Sequence, residues 1–101
     1  MPSNAEWGTL VTFAGGSATA GGRLKSSTDW DGTDDFGFSA LPGGFRSGSS
    51  FNDVGTYGNW WSATEGNASG AWGRNMGSGN SNVGEFNSGK TVGFSVRCAK
   101  D

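Results

Sequence analysis

The chain has 101 residues but no histidine, and its only cysteine is Cys98. A structural zinc site takes four ligands, mostly cysteine and histidine, and this chain cannot supply them. The same counts exclude Ser-His-Asp and Cys-His catalysis. One thiol also cannot form a disulfide within the chain. We therefore predict no zinc site of ordinary type and no catalysis by either of these two arrangements.

Charge and long hydrophobic runs are scarce as well. Seven lysines and arginines stand against nine acidic residues, and the net charge is −2. Nucleic-acid binding needs a basic surface that neutralises phosphates, and no basic cluster is visible. No stretch approaches the roughly 20 apolar residues of a membrane span. The sequence thus predicts neither nucleic-acid binding nor membrane insertion.

Glycine and aromatic residues, in contrast, are abundant. The chain has 20 glycines, and 13% of its residues are aromatic although only 33% are hydrophobic. Each large ring buries roughly 150–250 Å², so rings can replace much of an aliphatic core. Aromatic residues at this level argue against disorder, and the length fits a single domain over residues 1–101.

The N-terminus carries the pattern of a helix. Ser3 and Glu6 form a capping box, in which each side chain accepts a bond from the other residue's backbone N–H. From Trp7 onward, apolar residues follow at i, i+3, i+4 and i+7, which is one helical face. The glycine pair that follows supplies a helix end. We predict an α-helix over about residues 3–14 and no other helix.

Helix propensity falls after residue 17, and four later segments have strand patterns: 57–64, 70–76, 83–87 and 92–99. In the first, alternation places Trp60 and Trp61 on opposite faces. In the last, Phe94, Val96 and Cys98 point to one side, which is typical of a half-buried strand. The sequence therefore predicts an α+β fold in which one N-terminal helix is followed by a small antiparallel sheet with long irregular loops.

Four aspartates lie close together around Gly32: Asp29, Asp31, Asp34 and Asp35. Oxygen-rich loops with a glycine turn suit Ca²⁺, which takes six to eight oxygen ligands, but the spacing does not match an EF-hand loop. In the alternative interpretation, the carboxylates cap backbone N–H groups of an Asp/Gly turn. Calcium is therefore the one metal cofactor that the sequence admits.

Aromatic and amide side chains give the candidate ligand-binding residues: Trp60, Trp61, Trp72, Asn75, Asn80 and Asn82. Tryptophan rings can stack on the apolar faces of sugars, and asparagine, serine and glycine are favoured in adaptable recognition loops. The alternatives are structural: the rings belong to the core, and the asparagines make turns because they tolerate positive φ. Three arginines lie in or beside strands: Arg46, Arg74 and Arg97. Each is expected to pair with loop carbonyls or with a carboxylate, for which Asp53, Glu65 and Glu85 are available.

Six blocks, read in order, resemble the Fibrobacter succinogenes major paralogous domain: PSNAEW, RLKS, GFSALPGGFR, YGNWWSATE, SNV and GFSVRCAKD. They are spread over nearly the whole chain. The family is distantly similar to the formylglycine-generating sulfatase-modifying domains and, through them, to the C-type lectin fold. The resemblance implies a C-type-lectin-like α+β fold with a capping helix, a small twisted antiparallel sheet and long irregular loops.

The resemblance also bears on function. The family occurs in secreted bacterial proteins and lipoproteins, which implies an extracellular or cell-surface location. We expect a non-catalytic binding or surface-display module whose ligand is a carbohydrate or a protein. The calcium-binding motifs of sugar-binding C-type lectins are not matched, because Pro42 is flanked by Leu41 and Gly43.

Two other functions rest on the same resemblance. One is the ligand-recognition variable domain of a diversity-generating retroelement system, in which surface positions of this fold are diversified, often at asparagine codons. The other is a degenerate relative of the formylglycine-generating enzymes. Their catalysis uses a cysteine pair, whereas this chain has Cys98 alone.

One departure from the family concerns the N-terminus. Family members usually carry a segment like C-P-x-G-W-H-L-P before the helix, preceded by a strand and another helix, and this chain begins where that segment ends. The resemblance implies an N-terminally truncated domain in which the absent cysteine is the partner of Cys98. The absent strand would lie beside 92–99, and such an open edge would pair with another chain. A homo-oligomer through that edge is therefore expected.

Overall fold

The computed structural model describes residues 1–97 and shows an α+β fold with two helices and five strands in that range. The elements are α1 (Asn4–Phe13), α2 (Ala20–Leu24), β1 (Phe45–Ser47), β2 (Ser50–Asn52), β3 (Tyr57–Glu65), β4 (Gly70–Gly77) and β5 (Gly84–Gly89). The last three strands form an antiparallel sheet in the order β3-β4-β5, and β1-β2 is a separate hairpin. Over residues 1–97, no helix is both long and apolar enough to cross a membrane.

Helix α1 forms as its sequence predicts. The Ser3 hydroxyl accepts a hydrogen bond from the Glu6 N–H at 3.1 Å, and the Glu6 carboxylate accepts one from the Ser3 N–H at 2.9 Å. These bonds hold the pKa of Glu6 below its ordinary value. Trp7 and Val11 are buried, and after Ala14 the backbone turns at Gly15, where φ is 111°. The capping box and the glycine therefore set both ends of the helix.

The prediction of a single helix is wrong, because α2 follows six residues after α1. Its sequence, AGGRL, contains two glycines and so has low intrinsic propensity. Packing stabilises it instead: Ala20 and Leu24 are fully buried. A Cβ at Gly21 would lie 2.8 Å from the Ser81 carbonyl oxygen. Only glycine lets this helix approach the β4–β5 loop so closely.

The three strands of the main sheet confirm the predicted segments to within two residues. The register aligns Trp60 with Arg74, and Arg74 with Glu85. Trp60 and Trp61 lie on opposite faces, as alternation requires. Trp60 packs against Trp7 of α1 at 6.2 Å between ring centroids, whereas the Trp61 ring contacts Phe94 at 4.4 Å. The sheet therefore has one face on the core and a second face with its own aromatic cluster.

The core joins the two helices to the first face of the sheet. Its buried members are Trp7, Val11, Ala14, Ala20, Leu24, Ala40, Trp60, Met76 and Val83. Only two of them are aromatic. The prediction that rings supply the core is therefore only partly correct, since Phe13 and Phe51 are exposed and Phe45, Phe86 and Phe94 are half-buried on the other side of the sheet.

Two buried cations tie the loops and α1 to the sheet. The Arg74 guanidinium donates to Glu85 Oε2 at 3.0 Å and to Asn4 Oδ1 at 3.1 Å, which confirms its predicted structural pairing. Lys25 is 1% exposed. Its ammonium donates to the carbonyls of Gly77 and Asn80 at 2.7 Å each. All three Lys25 protons are used, because the ammonium also lies 2.8 Å from an oxygen of Asp31.

The predicted strand 92–99 is not a strand over its described part. Gly93 exchanges two 2.8 Å hydrogen bonds with Arg46 of β1, and Ser95 forms a parallel bridge to Trp60 of β3. Val96 is exposed, contrary to the predicted alternation. Cys98 and its predicted disulfide lie outside the described residues. The backbone groups of Gly93 and Ser95 are thus paired with β1 and β3 within the chain. The homo-oligomer expected through residues 92–99 stays a prediction.

Candidate functional site

Two asparagines lie side by side on the second face of the sheet. Asn59 of β3 is the direct cross-strand neighbour of Asn75 of β4. Alternation along β3 places Asn59 on the same face as Trp61, away from the core. Such neighbours have Cβ atoms about 4.5–5.5 Å apart, so their amides can act on one small group together.

The two amides line a cleft of about 280 Å³. We name this cavity the amide cleft. It is lined by Phe45, Asn59, Asn75, Phe86, Asn87, Ser88, Val92 and Phe94. Phe94 is the central ring, because it meets Phe86 edge-on at 5.3 Å and Phe45 edge-on at 6.3 Å. The backbone bridges of Gly93 to β1 and of Ser95 to β3 hold Phe94 in place. Its ring therefore lies between the phenylalanine rings of β1 and β5.

Glycines in the sheet make room for these side chains. A Cβ at Gly73 would lie 2.7 Å from Cζ of Phe86, so the ring rests directly on the β4 backbone. A Cβ at Gly84 would collide with the amide oxygen of Asn75. Glycine has a low strand propensity, but at these two positions the Phe86 ring and the Asn75 amide cover the backbone that glycine leaves bare.

Among residues 1–97, the side-chain amides of Asn59 and Asn75 have no protein partner. Within residues 1–97, neither Asn59 nor Asn75 makes a side-chain hydrogen bond, although Asn59 is only 8% exposed. The polar atoms of Asn59 are not sealed from solvent, unlike the indole nitrogen of Trp7, which is fully buried without a partner in the same range. Because these polar atoms reach solvent, water can bond to them, and the hydroxyl or amide groups of a ligand can take the place of that water.

The predicted tryptophans lie elsewhere. Trp60 is 2% exposed and belongs to the core, which leaves its ring almost no surface for the predicted ligand contact. Trp61 is half-buried and packs behind Phe94. Trp72 is half-buried on the core-facing side of β4, opposite Asn87. The interpretation of the tryptophans as core residues is therefore supported for Trp60. None of the three tryptophans lines the amide cleft.

Of the predicted asparagines, the structure brings only Asn75 to the cleft. Asn80 and Asn82 are exposed in the loop between β4 and β5. Asn80 accepts a hydrogen bond from the Asn82 N–H at 3.0 Å through its side-chain oxygen, and its carbonyl accepts one from Lys25. These contacts are turn chemistry, and the loop does not extend the site.

The aspartates around Gly32 have separate partners rather than a common centre. Asp31 pairs with Lys25 and accepts from the Gly79 N–H at 2.7 Å, and both interactions hold its pKa below the ordinary value. Asp34 accepts two hydrogen bonds from Ser39, which lower its pKa as well.

The remaining two aspartates have local partners. Asp35 lies 3.8 Å from Arg23, and Asp29 accepts from the Thr28 hydroxyl at 3.3 Å. Among residues 1–97, no three acidic, cysteine or histidine side chains are grouped to hold a metal ion. The geometry therefore supports the interpretation as a turn, and the calcium site stays a prediction.

Sequence reasoning missed most of the amide cleft. Asn59, Phe45, Phe86 and Phe94 were not candidates, although the spacing in YGNWW already places Asn59 and Trp61 on one face. What the sequence did not supply was the register of β3 against β4, which makes Asn59 the neighbour of Asn75.

Comparison with known proteins gives one match. The family model described as the Fibrobacter succinogenes major domain matches residues 1–100. Neither the curated proteins nor the solved structures yielded a match to the chain.

Proposed function

Because the chain belongs to the Fibrobacter succinogenes major domain family, we propose that it is a non-catalytic binding module whose ligand occupies the amide cleft. The observation that carries this proposal is the pair of amides, Asn59 and Asn75, which have no hydrogen-bond partner within residues 1–97 and lie between half-buried phenylalanine rings. Small-molecule sites are mostly apolar concave surfaces with a few polar groups that fix orientation. The amide cleft has this composition.

The lining of the cleft favours binding over catalysis. It consists of phenylalanine, asparagine, serine and valine, so no lining residue has an acid or base that titrates near neutral pH. General acid–base catalysis needs such a group within hydrogen-bond reach of the reacting atom. The whole chain also lacks histidine. An amide pair can hold and orient a ligand, but it does not move protons.

The finer fold and the location form part of the same proposal. We propose a C-type-lectin-like arrangement, supported by the N-terminal helix packed on a small antiparallel sheet and by the irregular chain between residues 25 and 44. An extracellular or cell-surface location is supported by the family resemblance. The ligand is then a carbohydrate or a protein that meets the domain outside the cell.

The experiment that tests the function is a ligand screen read residue by residue. The ¹⁵N-labelled chain is titrated with a panel of neutral saccharides, charged saccharides and blocked short peptides. We expect ligands that bind to shift the backbone and side-chain amide signals of Asn59 and Asn75. Ligands that shift only other regions, or no binding from any class, would contradict the proposed site.

Variants separate a binding role from a structural one. Asn75→Ala removes one unpartnered amide and should leave the melting temperature within about 4 °C of the wild type, because no internal hydrogen bond is lost. The matched control is Asn82→Ala, which changes an exposed amide outside the cleft. Weaker ligand binding by the first variant alone is expected. A large loss of stability on Asn75→Ala would instead indicate that the amide supports the fold.

A further inference from the structure

We propose that the ligand of the amide cleft is a neutral saccharide, bound through one sugar ring by Asn59 and Asn75. This inference rests on the proposed function and narrows its ligand to one chemical class. The inference is supported by the charge, the size and the hydrogen-bonding capacity of the cleft.

The charge of the cleft excludes ionic ligands. None of its eight lining residues is charged. Two ion pairs at the strands of the sheet lie elsewhere: Arg74 bonds to Glu85 on the core-facing side, and Lys90 bonds to Glu65 beyond the cleft. A carboxylate, phosphate or ammonium group would lose water on entry without gaining an opposite charge, which is costly. A neutral ligand incurs no such cost.

The size of the cleft limits the ligand to about one ring. Sites for drug-sized molecules occupy roughly 300–1,000 Å³, and this cleft, at about 280 Å³, lies just below that range. It is an open depression on the sheet, framed by Phe45, Phe86 and Phe94. A longer chain could therefore leave the cleft at either side while one unit fills it.

The hydrogen-bonding capacity of the cleft matches hydroxyl groups. Each asparagine amide offers an acceptor oxygen and two N–H donors, whereas each hydroxyl both donates and accepts. Asn59 and Asn75 stand side by side, so they can bond to neighbouring hydroxyls on one edge of a ring. The phenylalanine rings then cover the C–H groups of the same sugar ring, which carry partial positive charge suited to an aromatic face. A purely apolar ligand would instead seal the Asn59 amide without a partner.

A peptide amide is the other neutral group that could pair with these asparagines, and the experiment distinguishes it. The ¹⁵N-labelled chain is titrated with methyl glucoside, methyl galactoside and methyl mannoside. Three matched probes each change one property: glucuronate adds a charge, cyclohexanol removes all but one hydroxyl, and N-acetyl-asparagine methylamide presents a peptide-like amide. The side-chain NH₂ signals of Asn59 and Asn75 are followed, and the side-chain N–H signal of Trp61 is a second readout because its ring contacts Phe94.

We expect at least one neutral glycoside to shift both side-chain amides, and glucuronate and cyclohexanol to bind more weakly. Asn75→Ala and Asn59→Ala should each weaken that binding about fivefold or more, the effect of losing one neutral hydrogen bond. Asn82→Ala should leave it unchanged. Two independent cleft variants keep the test valid if one of them folds poorly.

The negative outcomes separate the two proposals. If the blocked asparagine binds at Asn59 and Asn75 while the glycosides do not, the saccharide inference is overturned and the binding function stands. Stronger binding of glucuronate than of the glycosides would overturn the inference in the same way. If no probe shifts these two amides, both the inference and the proposed site are overturned.

Discussion

Replacing Lys25 with methionine should destabilise the domain far more than replacing its ionic partner, Asp31, with asparagine. Methionine keeps much of the aliphatic volume of lysine but has no proton to donate. The Lys25 ammonium is buried and bonds to the carbonyls of Gly77 and Asn80, whereas the side chain of Asp31 is 45% exposed. Removal of the lysine therefore leaves acceptors without donors, while removal of the aspartate charge does not.

The magnitudes follow from these partners. The Gly77 carbonyl is buried and loses a charge-assisted hydrogen bond, which costs about 1.5–3 kcal/mol. The Asn80 carbonyl lies in an exposed loop and can bond to water, so its loss adds about 0.5–1 kcal/mol. Lys25→Met should thus lower the free energy of unfolding by about 2–4 kcal/mol. Asp31→Asn removes a partly exposed ion pair and should cost about 1 kcal/mol or less.

Urea unfolding followed by tryptophan fluorescence measures both values. With a slope of about 1–3 kcal/mol per molar urea, a loss near 3 kcal/mol moves the midpoint by about 1–3 M. Lys90→Met is the matched control, because Lys90 is a half-exposed lysine whose ammonium pairs with the exposed Glu65. Its midpoint should change little. Equal midpoints for the two lysine variants, or a larger loss on Asp31→Asn, would refute the assignment of the carbonyls as the main partners.

Three further outcomes are expected. Lys25 and the Gly79 N–H hold the pKa of Asp31 below its ordinary 3.8. The Asp31 carboxylate therefore contributes its full stabilisation above the unfolded-state pKa, and this is lost as pH falls through the folded-state pKa. In urea melts, the free energies of unfolding of wild type and Asp31→Asn should differ at about pH 7 and converge at about pH 2.5. Calcium chloride and EDTA should leave the melting temperature unchanged; a rise with calcium would contradict the separate partners of the aspartates. Gly44→Ala should destabilise the domain by about 1–3 kcal/mol more than Gly48→Ala. Both glycines have positive φ, but only a Cβ at Gly44 would meet the backbone, 2.8 Å from the Val54 nitrogen. Equal melting temperatures of the two variants would refute this.

The N-terminal helix shows what local sequence can predict. Its capping box, apolar face and terminal glycine act within a few residues of one another, and the structure confirms all three. Helix α2 shows the limit. Its glycines disfavour a helix locally, yet they are required where Gly21 meets the loop at Ser81, about 60 residues further along the chain. No local pattern contains that contact.

The candidate site shows the same limit more strongly. Aromatic and amide residues were the right residue types, but Asn75 was the only one of the predicted positions to reach the cleft. Asn59 became its neighbour through strand register, and Phe94 reached it through bridges to both β1 and β3. Trp60 went to the core because the same alternation turned it toward α1.

The sequence by itself determined the α+β class, the ends of α1 and the three strands of the main sheet. It also determined that the chain has no histidine and no basic cluster. These depend on periodicity, capping and composition, which act over short distances along the chain. Tertiary structure decided which face each ring covers, which acceptors surround Lys25, and which amides share a cleft. These contacts join segments that are far apart in sequence, where rings are buried and polar groups are paired. They are fixed only when the chain packs into its tertiary structure.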